Sequence, residues 1–453
     1  MRPDDNVAAL AEFPQLGVML DEERAPGVLE RTLDPHQRLR VARCRVTQLH
    51  YKPGSSCSVV MLAGLAPPGG TADDQIYHGT LFAASDKAAR QASEAGSSNL
   101  IAPRVGPPFV WVPEWSVLLW AFPNDPRLHG LPAMVDAAGI VASARARPQD
   151  FGLSPSDPPP TRVTAEQVRY VPRKRCGYVY RFTLPPRGSD GAAAHSVYGR
   201  LYSGTRGRPV YEVMRRLWET PARAGGAFGM PEPYAYHPET GVLWQQFLAG
   251  ERVGKAAAHL SRLPEMCEEI GARLAAFHGC GAELPPGMGL DQQREELHSR
   301  IEVIAATFPE HAGTVRDLGD RLVARGAGLG VAPPVPSHGE LRVSHAFSTQ
   351  GGIAFIDFDE AGMGDAAHDL GRVLSDLWVM EVAGTVRPAV AAAAREKFQN
   401  AYDRAASIPV SPERVPWFTA SHLVANEAHK MVKHRDRGHL AGLLAAARST
   451  SQA

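Results

Sequence analysis

The chain has 453 residues, too many for one hydrophobic core, which predicts two or three domains. Lys and Arg together number 48, and so do Asp and Glu, so the formal net charge is zero. That balance argues against nucleic acid or an anionic membrane surface as the main partner, and the 44% hydrophobic content is that of a folded soluble chain.

The opening stretch, "MRPDDNVAALAEFPQLGVMLDEER", has no basic start followed by an apolar run. No segment reaches the ~20 apolar residues of a spanning helix, so the expected location is cytoplasmic. Five scattered cysteines, Cys44, Cys57, Cys176, Cys267 and Cys280, fit reduced thiols rather than a disulfide framework.

The first half contains a repeat. "LHYKPGSSCSVVMLAGL" from Leu49 parallels "VRYVPRKRCGYVYRFTL" from Val168, matching Tyr51, Pro53 and Cys57 to Tyr170, Pro172 and Cys176. "IYHGTLF" from Ile76 parallels "VYGRLY" from Val197, and "VPEWSVLLWAF" from Val112 parallels "HPETGVLWQQF" from His237. Alternating, β-branched and aromatic residues predict strands in each block. "DKAARQASEAG" and "RPVYEVMRRLWE" predict a helix after the third strand, so each copy reads strand, strand, strand, helix, strand, strand. Between the copies, "RARPQDFGLSPSDPPPTRVTAEQ" is rich in Pro, Ser and Asp and marks a domain boundary.

After Gly250 the pattern turns helical. "VGKAAAHLSRLPEMCEEIGARLAAFHGC", "DQQREELHSRIEVIAATF", "RPAVAAAAREKFQNAYDRAA" and "PWFTASHLVANEAHKMVKHRDR" carry apolar residues at three- and four-residue spacing. Among them, "HGELRVSHAFSTQGGIAFIDFDEAGMGD", His338 to Asp365, reads as two acidic loops flanking a hairpin. Phosphoryl transfer needs a carboxylate beside the acceptor hydroxyl, ligands for a divalent cation and a cation on the nucleotide phosphates. A five-stranded segment with a helix, a hinge and a helical region with two carboxylate loops supply these in a workable order.

These loops resemble the catalytic and metal-binding loops of aminoglycoside phosphotransferase-like kinases, which usually read His-Gly-Asp-x-x-x-x-Asn and then Ile-Asp before a Gly-Asp and an Asp-Leu. The resemblance runs from about Gln167 to the end and includes "YHPETGVLWQQFLAGERV" as a hinge and "IGARLAAFHG", with His278, as a helix ending. It implies an α+β, protein-kinase-like bilobal fold with a duplicated N-lobe-like cap. The implied divisions are a cap over 1–150, a kinase N-lobe over 151–249 and a helical C-lobe over 250–453. It further implies ATP and Mg²⁺ as cofactors and a small hydroxylated metabolite, such as a sugar or amino sugar, as acceptor.

Position by position, Glu340 stands where the family has its catalytic Asp, and His345 where it has a metal-binding Asn. Asp357 stands at the metal-binding Asp. Arg200 replaces a strand Lys on the phosphates, with Glu212 as its candidate helix partner. Arg173, Lys174 and Arg175 occupy the phosphate-loop turn. Asp359 and Asp365 are substrate-side or loop-bracing, Asp365 as a helix cap, and Asp369 is expected to brace the same loop, while His338 is structural. Glu for Asp adds a methylene, His for Asn exchanges an amide oxygen for a softer imidazole, and Arg for Lys turns a point charge into a fork. All three keep charge type or ligand capacity, which favours an active kinase over the alternative, a catalytically silent kinase-like binding protein.

Thr80 stands in the first copy where the second has Arg200, and no carboxylate loops follow that copy directly, so the first copy reads as a cap that binds no nucleotide. Other motifs fall away. His422, His429 and His434 are spaced too widely for one ion, "GAGLG" from Gly326 follows a helix, and "GERVGK" lacks the Walker spacing.

Overall fold

The computed structural model describes residues 7–33, 39–52, 54–67, 69–82, 100–103, 105–186, 193–255, 260–434 and 438–452. The expected helix "DKAARQASEAG" and the repeat position Pro53 lie outside the described residues. The chain divides into two compact units, one of residues 1–207 with 236–244, the other of 208–235 with 245–453.

The first unit holds two five-stranded sheets with one strand order. β1 (Arg40–Lys52), β2 (Ser56–Ala66), β3 (Asp73–Phe82), β4 (Phe109–Val112) and β5 (Val117–Ala121) run β1-β2-β3-β5-β4. β6 (Arg162–Val171), β7 (Arg175–Leu184), β8 (Ala193–Tyr202), β9 (Pro233–His237) and β10 (Val242–Gln246) run β6-β7-β8-β10-β9. The repeat read from sequence is therefore a repeat of topology. It extends to register, with Tyr51 opposite Cys57 in the first sheet and Tyr170 opposite Cys176 in the second.

Each sheet buries one face under short helices. Helices Val7–Glu12, Leu16–Met19 and Ala25–Leu33, which periodicity alone did not announce, bring Phe13, Leu16, Met19 and Leu29 against Met61, Tyr77 and Trp115. Helices Leu131–Val135 and Ala137–Ala146 lie between the sheets in sequence. There the Tyr180 hydroxyl donates to the Met134 carbonyl at 2.8 Å, and Phe151 meets Trp244 with ring centroids 4.6 Å apart. The Pro-rich stretch thus sits inside one compact unit rather than between two.

The second unit is mostly helical. Of the helix expected from Val253, residues 256–259 lie outside the described residues, Leu260 and Ser261 are helical, and after a turn at Arg262 helix Leu263–His278 runs with Pro264 in its first turn. Leu290–Thr307, Ala312–Gly328, Ala366–Val382, Pro388–Ala405 and Leu440–Gln452 follow. Helix Arg414–His422 passes through a π-helical turn, Leu423–Ala428, into His429–His434. β13 (Ala346–Thr349) and β14 (Gly352–Phe355) form the expected hairpin beside β11 (Gly250–Arg252). β12 (Val335–Ser337) pairs with β15 (Gly362–Gly364), and these two short strands fix the ends of the acidic loops. All five cysteines are buried and unpaired. Among the described residues no helix is long and apolar enough to cross a membrane.

Candidate active site

In the second unit the loop from His338 to His345 is built around one buried carboxylate. Asp369 Oδ2 accepts the Ser337 hydroxyl at 2.9 Å and the His338 N–H at 2.6 Å, and Oδ1 accepts the Gly339 N–H at 2.9 Å. His278 Nε2 lies 3.1 Å from Oδ2, and its Nδ1 lies 2.8 Å from the Tyr402 hydroxyl. The hydrogen bond from His278, with the His368 and His338 rings nearby, outweighs burial and holds the Asp369 carboxyl well below the usual carboxylate range. His338 Nε2 contacts the Ile356 carbonyl at 3.0 Å, tying this loop to the next. Gly339 has φ 78°, and a Cβ there would run into the Glu360 carbonyl, so only glycine fits this crossing.

That scaffold leaves Glu340 half exposed, with Oε1 3.4 Å from Arg342 Nη2 and 3.7 Å from Arg372 Nη2. Both arginines also reach Glu427, Arg372 at 2.9 Å and Arg342 at 3.6 Å. Lys430 Nζ contacts both Glu427 oxygens at 2.7 Å. Glu427 is buried on the π-helical turn, where the extra residue per turn alters the register that an α-helix would impose. Behind the loop, Asp376 accepts the Val343 N–H at 3.0 Å, and burial pushes its carboxyl up.

His345 Nδ1 lies 2.9 Å from the Glu340 carbonyl oxygen, so it is the nitrogen that carries the proton. Nε2 keeps its lone pair and sits 3.9 Å from Asp357 Oδ2. Burial, then repulsion from His338, pulls the His345 pKa down to about 4, so the ring is neutral near pH 7. Asp357 itself has φ 73°, a left-handed backbone that turns its carboxylate out of the β14 line. A neutral imidazole nitrogen and a carboxylate at this separation fit a divalent cation between them. Among the described residues no group of three or more His, Cys, Asp or Glu side chains gathers as a protein-only metal cage.

The structure thus brings Glu340, His345 and Asp357 together. Asp359 follows on the 3-10 turn Phe358–Glu360. The Asp365 carboxylate is turned to other work, accepting the Ala367 N–H at 2.9 Å as a helix cap and pairing with the buried Arg414 guanidinium. Glu212 lies on the exposed side of helix Gly207–Trp218, 4.0 Å from Arg208. In the first unit, Arg173, Lys174 and Arg175 occupy the β6–β7 turn. Arg200 stands on β8 opposite Gly177, its guanidinium 4.9 Å from the Tyr202 ring centre. Sequence reasoning missed Arg342, Arg372, Asp376 and Glu427. Arg342 lies inside the quoted loop and Arg372 one helical turn after Asp369, but nothing local marks Glu427.

Two buried histidines make the second unit acid-sensitive. His345 is held near pKa 4 and His422 near 3, both chiefly by burial, against an unperturbed 6.5. Above about pH 6.5 neither state binds the proton, and below it only the unfolded state does, so stability falls as pH drops towards 4. For His345 the full loss is on the order of 3 kcal/mol, while the raised Asp376 works in the opposite sense. Urea midpoints should fall between pH 7 and 5, and His345→Asn should flatten that slope. An equal slope in the variant would reject His345 as a source.

With this geometry in hand, a family model described as a phosphotransferase enzyme family matches residues 200–408. The matched segment opens at Arg200 and contains both acidic loops, and the mixed helix-and-sheet class with a repeated five-stranded sheet stands. The match begins later than the motif resemblance did and omits the first sheet. No curated protein matches the chain. Among solved structures, it is similar to a choline/ethanolamine kinase family protein from Mesorhizobium loti, 18% identical over 69% of this chain and 95% of that one, TM-score 0.41. A glucosamine kinase in complex with glucosamine, ADP and inorganic phosphate is 14% identical over 90% and 93%, TM-score 0.41. A choline kinase from Cryptosporidium parvum Iowa II is 12% identical over 69% and 94%, TM-score 0.44.

Proposed function

We propose that the chain is an ATP-dependent phosphotransferase that moves the γ-phosphate to a hydroxyl of a small molecule, a sugar or amino sugar being the acceptor class we favour. The observation that carries this reading is the trio of Glu340, His345 and Asp357 within one unit, with the His345 tautomer leaving Nε2 unprotonated towards Asp357. In this reading Glu340 takes the proton of the acceptor hydroxyl as its oxygen bonds to phosphorus and the bond to the ADP oxygen breaks. Arg342 and Arg372 hold that carboxylate at a set angle, and His345 and Asp357 would hold the cation. A divalent cation held there would supply charge compensation for the phosphates. The cap over 1–150, the N-lobe and the C-lobe, and the phosphate contacts of Arg200 and the β6–β7 turn, belong to the same proposal.

Imidazole is a better ligand for Mn²⁺ than for Mg²⁺. Binding of ATP with a cation should raise the thermal midpoint, by an amount equivalent to ~2.7 kcal/mol at 100 times Kd, and the rise should be larger with Mn²⁺ than with equal Mg²⁺. His345→Asn should shift that preference back towards Mg²⁺. ADP release across sugars, amino sugars and amino alcohols would then identify the acceptor. No midpoint shift with any nucleotide and cation would leave the silent binding protein as the better reading.

A further inference from the structure

Both copies of the repeat open on a hairpin turn gripped by a carboxylate from the chain ahead of it. In the first, Glu12 Oε2 accepts the Tyr51 hydroxyl at 2.6 Å and the Gly54 N–H at 3.1 Å. In the second, Asp125 Oδ2 accepts the Tyr170 hydroxyl at 2.9 Å and the Arg173 N–H at 2.8 Å. Tyr51 and Tyr170 are equivalent positions, and so are Gly54 and Arg173, which share left-handed backbones with φ 66° and 64°. The grip and the backbone are the same, but Gly54-Ser55-Ser56 has become Arg173-Lys174-Arg175.

Glycine adopts the left-handed region without steric cost, whereas an arginine there is strained. Room does not dictate the glycine, since a Cβ on Gly54 would meet nothing within 4 Å. The second copy therefore keeps backbone strain that the first avoids, which points to a use for the side chain. The grip is firmly seated. The Asp125 side chain is 0% exposed, and its Oδ1 accepts the Arg127 N–H at 2.9 Å. Asn124 beside it bonds the Ile101 N–H and carbonyl at 2.9 and 2.8 Å. His78 Nε2, from β3, sits 3.6 Å from Oδ2. Burial and the Arg127 charge pull the Arg173 pKa down while Asp125 pulls it up, so a second cation from the preceding chain stands near this turn.

We propose that Asp125 is a positioning residue for nucleotide binding, which locks the Pro172–Lys174 turn so that its cations face the phosphates. The proposal rests on the phosphotransferase reading above and gives the capping segment a definite task within that unit.

The test compares Asp125→Asn with Glu12→Gln in the full chain, using ATP with Mn²⁺ or Mg²⁺ as the probe. Asp125→Asn should speed hydrogen exchange across 171–175 and raise the Kd for ATP about tenfold, the scale of one charge-assisted hydrogen bond. Glu12→Gln should loosen the turn at 54–56 and leave the Kd for ATP unchanged, which a merely structural role for both carboxylates would not allow. An unchanged Kd in Asp125→Asn, or an equal rise in Glu12→Gln, overturns the proposal. If Asp125→Asn does not fold, Tyr170→Phe removes one partner of the carboxylate and should still raise the Kd several-fold; an unaltered value there is equally decisive. A parent chain that binds no ATP would instead overturn the phosphotransferase reading.

Discussion

Glu340→Ala is expected to lower turnover by about 10²–10⁴-fold while nucleotide affinity stays within about twofold. The asymmetry follows from where the side chain sits. Glu340 is half exposed, so its removal leaves no cavity, and Arg342 and Arg372 keep Glu427 as a partner at 3.6 and 2.9 Å. The loop backbone is fixed through Ser337, His338 and Gly339 rather than through Glu340. In the proposed mechanism, what disappears is the proton acceptor. Glu340→Asp keeps the carboxylate but withdraws it by about 1 Å from both guanidiniums, and a shift of that size costs ~10²-fold when geometry limits the rate. Single-turnover ADP formation and a separate ATP titration would resolve the two effects. An alanine variant that turns over at the parent rate would remove Glu340 from the chemistry.

The largest stability effect should come from Asp369→Ala, at about 3–5 kcal/mol, the usual cost of removing one partner from a buried charged network. The carboxylate is 0% exposed and answers two backbone N–H groups, one hydroxyl and one imidazole. None of those donors reaches water once the acceptor is gone, so each bears its desolvation penalty. Asp369→Asn retains the shape but turns an amide NH₂ towards donors, so it should recover little of the loss. Urea unfolding near pH 7 measures both. A loss below about 1 kcal/mol for the alanine variant would mean that water or a shifted loop replaces the carboxylate.

Much of this was legible in the sequence because it is written locally. The repeat announced itself through Tyr51 and Tyr170, since cross-strand partners and turn residues recur at fixed offsets. His338-Gly339-Glu340 and Ile356-Asp357 are short loops whose residue types are dictated by backbone shape and charge. Other features depend on where distant segments meet. Glu427 joins Arg342 and Arg372 through a helical register shift that periodicity averages away. Asp125, in "AFPNDPRLHG", carries no local mark of the turn it grips 48 residues later. Local chemistry also marks one break, since a turn at Arg262 precedes Pro264 inside the stretch that apolar spacing read as one helix from Val253. Asp359 and Asp365 illustrate the remaining limit, because acids clustered in sequence were set to different tasks by their backbones.

The paired turns carry an experimental consequence. One polypeptide presents the same strand–turn–strand topology twice, with matched tyrosines and left-handed residues, and its two turns read Gly54-Ser55-Ser56 and Arg173-Lys174-Arg175. Any probe applied to the whole molecule samples both at identical temperature, solvent and concentration. The glycine-serine turn thus serves as a built-in reference, against which the behaviour of the cationic one can be scaled without a second protein.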